Sequence, residues 1–199
     1  RGSNESRYCY SVWLRHLILL NKNESFAPKI IAELGPGDSI GVGLAALLSG
    51  AEKLYAFDVN NTIDIEQNIR ILDELVNLFL TKERIPDSIE YPYLSPQITD
   101  YNFPAFLISD SVLAEALNEI RVQEIRDEIK QLNRSNFSGK YIQYKAPWDT
   151  NDAIEKGAID LVLSQAVMEH VLDLESTYKI IKDWLKENGK MSHQIDFKC

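Results

Sequence analysis

The stretch Ile30 to Gly41, IIAELGPGDSIG, constrains the fold more than any other part of the chain. An apolar run ends in the carboxylate of Glu33, and Gly35, Pro36, Gly37 and Gly41 follow within seven residues. A short apolar run that turns through glycine into small residues reads as strand, tight turn and helix. In that unit the glycines let the backbone approach a nucleotide at the carboxyl end of a parallel strand.

The rest of the chain keeps the same alternation. Tyr8 to Leu20 is predicted as a helix with Tyr10, Trp13, Leu14, Leu17 and Leu20 on its apolar side, and residues 1–28 form an N-terminal helical cap. Lys29 to Leu34 is the first strand, Ile40 to Ser49 a helix closed by Gly50, and Lys53 to Val59 the second strand. Thr62 to Leu80 is a helix with the stripe Ile65, Ile69, Leu72, Val76 and Phe79. Lys140 to Ala146, Ala158 to Gln165 and Lys190 to Phe197 are three further strands, with a helix over Asp173 to Glu187 capped by Gly189. These elements predict one α/β domain over residues 1–199, with a doubly wound, mainly parallel sheet of five strands in the order 3-2-1-4-5.

Residues 81–136 interrupt the alternation between the second and third strands. Four prolines and five aromatic residues fall between Thr81 and Asp110, and a charged amphipathic helix over Ser111 to Leu132 follows. Aromatic content favours an ordered loop, read either as a lid over a second ligand or as inert packing.

Composition excludes several function classes. The net charge of −9 disfavours a phosphate backbone as partner, and no apolar stretch is long enough to span a bilayer. No secretory signal is visible, and the only thiols are Cys9 and Cys199, so the protein is expected in the cytoplasm, with neither nucleic acid nor membrane as partner. No residue set with metal-ligand spacing is apparent.

The glycine turn misses the dinucleotide pattern, because the third glycine is Gly41, one residue late. Glu33 at the mouth of the turn would also repel a pyrophosphate and suit a cationic ligand. Glu33-Leu34-Gly35-Pro36-Gly37-Asp38-Ser39 resembles the first motif of the class I S-adenosylmethionine-dependent methyltransferases, with Ser39 in place of the third glycine. Asp58 ends the second strand, where that family places the acid that accepts both ribose hydroxyls. Asp160 to Val171, DLVLSQAVMEHV, is similar to its fourth motif.

The resemblance implies a Rossmann-like fold, S-adenosyl-L-methionine as cofactor, and a cofactor site built from Glu33, Gly35, Gly37, Asp58, Trp148, Ser164 and Gln165. Trp148, in the segment Ala146 to Asp149, either covers the adenine or packs in the core. The carbonyls of Ser164 and Gln165 would face the methionine ammonium. Methyl transfer to a hydroxyl needs a proton acceptor. His170 is the expected catalytic base, with Asp196 orienting it or touching substrate. His193 reads as a core histidine, and Arg15 and His16 as residues closing the pocket from above.

The family's Asp/Asn-Pro-Pro-aromatic motif for amino methylation is replaced by Ser164-Gln165-Ala166-Val167, and both cysteines lie near the ends of the sequence, away from where a cysteine nucleophile would be expected. A small-molecule or saccharide O-methyltransferase is the leading expectation. A nucleotide-dependent oxidoreductase or epimerase and a catalytically silent binding protein are the alternatives. The family's last two strands have no counterpart here, which predicts a fragment or truncated relative. The bare fifth strand would then pair with a second copy in a homodimer, be covered by Tyr8 to Leu20, or be poorly ordered.

Overall fold

The computed structural model describes residues 4–134, 136–148 and 154–197. Asp149 and Cys199, both named above, lie outside the described residues. In chain order the elements are α1 (Ser6–Leu20), β1 (Ile30–Leu34), α2 (Gly41–Leu47), β2 (Lys53–Phe57), α3 (Ile65–Leu80), α4 (Asp110–Ala116), α5 (Glu119–Ile129), β3 (Asn136–Ser138), β4 (Ile142–Lys145), β5 (Ile159–Gln165), a 3-10 turn (Met168–His170), α6 (Leu174–Trp184) and β6 (Leu185–Gln194).

The sheet has the order β3-β4-β2-β1-β5-β6. Its five parallel strands stand in the order the sequence predicts. The sixth strand was not foreseen: β3 adds an antiparallel edge beside β4. It is only three residues long, too short for a periodic signal. Alternate residues of each strand feed two cores. Ile31, Leu54, Leu161 and Leu163 pack with α1, α2 and α3, whereas Ala32, Leu34, Phe57 and Val162 pack with Ile181 and Trp184 of α6.

Four element predictions are corrected by the structure. The helix expected over Ser111 to Leu132 is broken into α4 and α5, because the Asn118 side chain caps a new start by accepting from the N–H groups of Ile120 and Arg121. Gly189 is not a helix cap: α6 ends at Trp184, and β6 begins at once with a register irregularity against β5. The buried stripe of α3 is Asn68, Ile71, Leu72, Leu75 and Phe79, rotated from the predicted one. Asn68 turns inward because its amide donates to the carbonyls of Asp38 and Asp64 and accepts from Ile40. Finally, α1 is buried nearly all round from Cys9 to Leu17, Arg15 and His16 included, rather than on one side.

The residue 81–110 segment causes that burial by wrapping α1. The Arg15 guanidinium donates to the carbonyls of Pro86 (2.9 Å), Leu94 (3.2 Å) and Pro96 (2.9 Å), and its Nε donates to Ser11 Oγ. Its charge lies 5.1 Å from the centre of the Tyr101 ring. Tyr10 and Ser11 donate to the carbonyls of Glu83 and Pro86. The segment is thus fastened to a helix of the domain. It does not extend the sheet beyond β6, which pairs with β5 alone among the described residues. Helix α1 touches the face of β6, not its edge, through His16 and Ser192 (2.7 Å) and through Lys190 and the Leu20 carbonyl (3.3 Å). No helix among the described residues is long and apolar enough to cross a membrane.

Replacing Arg15 by Met removes three hydrogen bonds to loop carbonyls, although Pro86 keeps Ser11 and Leu94 keeps Gln97 as donors, so Arg15→Met is expected to lower stability by about 3 kcal/mol. Urea denaturation checks this, and a loss below about 1 kcal/mol would remove Arg15 as the clamp.

Candidate functional site

The carboxyl ends of β1, β2, β4 and β5 meet at one place. Gly35 extends the sheet by donating to the Phe57 carbonyl (2.8 Å) and then turns the chain with φ +64°. A Cβ on Gly35 would lie 2.6 Å from Val167 Cγ2, so glycine is required there twice over, for its backbone angle and for its bulk. Gly37 has φ +71°, but an added Cβ would meet nothing within 4 Å. Its outer face is open.

Asp58 joins these turns. Its Oδ2 accepts from the Gly37 N–H (2.8 Å) and its Oδ1 from Val59 N–H (2.7 Å). Its own N–H donates to Lys145, and its carbonyl accepts from Trp148 N–H (3.0 Å). Oδ1 also accepts a long contact from Asn60 N–H (3.5 Å), and Oδ2 retains a further acceptor position.

Three N–H groups at the start of α2 are taken up by side chains of the domain. Asn68 Oδ1 accepts from Ile40 N–H (2.9 Å), Ser39 Oγ from Gly41 N–H (3.0 Å), and Glu33 Oε2 from Gly43 N–H (3.0 Å). Glu33 therefore lies beneath α2, 5% exposed, and not at the mouth of the turn as the sequence suggested. The alternation of β1 sends its side chain to the α2 face of the sheet, with Ile31. Burial pushes its carboxyl up to about 8.

Two clefts open at these strand ends. The first, about 680 Å³, is lined by Leu34, Gly35, Gly37, Asp58, Val59 and Trp148 on one side and by residues 166–168 and 170–172, Thr177 and Ile180 on the other. The second, about 550 Å³, lies between Tyr8, the Glu90–Leu94 segment and Gln165, Ala166, Gln194 and Asp196. Ala166 lines both and holds φ +54°, a left-handed conformation that a non-glycine residue adopts only under constraint.

The predicted site residues divide between these places. Gly35, Gly37, Asp58, Trp148 and His170 line the first cleft, and Gln165 and Asp196 the second. His170 stands on the 3-10 turn, not on a helix following β5. Asp196 does not share its cleft, so the orienting role expected for Asp196 has no support; its N–H donates to Glu169 Oε1 (3.3 Å).

Trp148 packs in the core, its ring 5.7 Å from Phe57 and 5.5 Å from Trp184, and it also borders the cleft. Ser164 is fully buried, its Oγ 2.8 Å from His193 Nδ1. Burial, aided by nearby His16, holds His193 down at about 4. His16 is buried and hydrogen-bonded to Gln165 Oε1 (3.2 Å) and to Ser192, and Arg15 lies with the loop carbonyls rather than over either cleft.

Sequence reading gave no site role to Ala166 and Val167, which lie within the fourth motif, or to Thr177 and Ile180, which follow it. It also missed Tyr8, Tyr91 and Tyr93, although the aromatic and proline content had marked the loop that holds the last two. Among the described residues, no group of three or more His, Cys, Asp or Glu is placed to hold a metal ion.

No family model matches the chain, and no curated protein matches its sequence. Among the solved structures that match the chain are two at 14% identity each. One is a provisionally assigned S-adenosyl-L-methionine-dependent methyltransferase of Methanococcus maripaludis, with TM-score 0.47, covering 98% of this chain and 59% of the other. The second is (S)-3-hydroxybutyryl-CoA dehydrogenase of Ralstonia eutropha, with TM-score 0.34, covering 83% of this chain and 40% of the other. The chain therefore spans less than two thirds of either protein. Neither supplies a residue role here.

Two outcomes follow from this geometry. Gly35→Ala meets both the backbone angle and Val167 and should cost about 2–3 kcal/mol, against about 1 kcal/mol for Gly37→Ala, which meets the angle alone. Equal losses on chemical denaturation would show that the Val167 contact yields. Glu33 has a folded value near 8, above its ordinary 4.5. The folded state therefore holds more protons than the unfolded one between those values, so stability should fall as pH rises from about 4.5 to about 8. Glu33→Gln should remove that part of the slope, and an unchanged stability–pH profile would contradict the buried, protonated carboxyl.

Proposed function

We propose that this chain is an S-adenosyl-L-methionine-dependent methyltransferase that acts on a hydroxyl oxygen of a small molecule or saccharide. One observation carries the reading. The N–H groups of Ile40, Gly41 and Gly43 that a dinucleotide pyrophosphate would need are held by Asn68, Ser39 and Glu33, while Asp58 faces the cleft. Such a site favours a ligand with a ribose diol and no phosphate.

The residues fit that ligand. The open face of Gly37 admits a close backbone approach, Asp58 Oδ2 has a further acceptor position for a ribose hydroxyl, and Val59 and Trp148 offer an apolar wall for a base. When bound, S-adenosylmethionine supplies a methyl group already activated by its sulfonium. The protein's task is then to align the acceptor, exclude water and receive one proton. Met168, Val171 and Ile180 give the first cleft its apolar side. His170 borders this cleft and Asp196 the neighbouring one. If the acceptor enters by the second cleft, a carboxylate oxygen of Asp196 is the group beside its hydroxyl, and His170 stays on the cofactor side.

Asp58→Ala should weaken S-adenosylhomocysteine binding by about 10- to 100-fold, the loss expected for charge-assisted hydrogen bonds. Calorimetry on the folded variant checks this, and unchanged affinity would remove Asp58 from the site. Binding of NAD with none of S-adenosylhomocysteine would overturn the reading in favour of an oxidoreductase.

A further inference from the structure

The second cleft has a chemistry of its own. Tyr91 is fixed from two sides: its ring meets Tyr8 edge-on at 5.7 Å, and its hydroxyl donates to Glu5 Oε2 at 3.0 Å. Tyr93 stands at the rim with 85% of its surface exposed. The opposite wall is polar. Gln165 Oε1 is held by His16 Nε2, and His16 is braced by Ser192. Asp196 adds a carboxylate beside it.

Charge narrows the occupant further. Among the described residues no lysine or arginine lines this cleft, so a phosphate or carboxylate finds no cation in that part of its wall. Arg7, next to Tyr8 in the chain, is spent on Glu90 through two hydrogen bonds of 2.6 and 2.7 Å. That pairing neutralises Glu90 as well, so a cationic ligand meets Asp196 and little else. Aromatic faces opposite a carboxylate and an amide suit a ring that is apolar on its C–H face and rich in hydroxyls at its edge. The volume of about 550 Å³ accommodates one or two such rings. Through Ala166 the cleft adjoins the first one, where the methyl donor is placed above.

We infer that the second cleft is the acceptor subsite and takes a neutral saccharide. Tyr91 and Tyr93 pack against the sugar ring, and Gln165 and Asp196 hydrogen-bond its hydroxyls. The inference rests on the methyltransferase reading for the word acceptor, and on the cleft alone for the saccharide.

Saturation-transfer NMR tests it, titrating methyl glucoside, methyl mannoside and methyl galactoside with and without saturating S-adenosylhomocysteine. Glucose 1-phosphate and choline serve as anionic and cationic comparators. At least one glycoside should bind, and Tyr93→Ala and Asp196→Asn should each weaken it about fivefold or more. Both positions are exposed, and retained S-adenosylhomocysteine binding shows that each variant is folded. The saccharide assignment is overturned if no glycoside binds, if both variants bind as the parent does, or if glucose 1-phosphate or choline binds more tightly. A glycoside that binds with these losses while S-adenosylhomocysteine does not would leave the saccharide site standing and remove methyl transfer.

Discussion

The carboxylate of Asp58 is the tie on which the functional end of the sheet depends. It lies where β2 ends, yet one of its oxygens holds Gly37 after β1 and the other holds the turn after β2. Its main chain reaches Lys145 and Trp148 beyond β4. Three strand ends are thus fixed to one residue. The same carboxylate borders the cleft, so the group that orders the turns is also the group offered to a ligand. A carboxylate has enough acceptor positions for both tasks.

What a ligand finds at α2 follows from burial. Helix starts leave N–H groups unsatisfied, and anions exploit them. Here three inward side chains, Glu33, Ser39 and Asn68, take up that capacity from below. The arrangement costs a buried carboxyl, which the interior favours in its protonated form. The result is a glycine turn with the outline of a phosphate site and a different chemistry.

Helix α1 and the 81–110 segment form a second dependent pair. Buried Arg15 has no carboxylate partner in its hydrogen bonds and is satisfied by loop carbonyls, so the helix is apolar enough to bury only because the loop closes over it. The loop in turn delivers Tyr91 and Tyr93 to the strand ends. His16 on the same helix steadies Gln165 from the other side. A wrapped helix and a pinned loop therefore create the second cleft.

Strand and helix periods, the glycine turn and the acids at the ends of the first two strands were legible in the sequence, because alternation and turn chemistry are local properties. They determined the α/β class, the order of the five parallel strands, and the participation of Gly35, Gly37, Asp58 and Trp148 in one cleft. The direction of Glu33 was not legible, since a strand residue's face depends on what packs against each side of the sheet. Nor was the inward turn of Asn68, whose polarity suggested solvent until its backbone partners were in place. The separation of His170 from Asp196, the contact of Val167 with Gly35, and the meeting of Tyr8, Tyr91 and Asp196 join residues far apart in the chain. Only the tertiary structure decided these, because such contacts arise from how α1 and the loop close over the strand ends, and no local period encodes that closure.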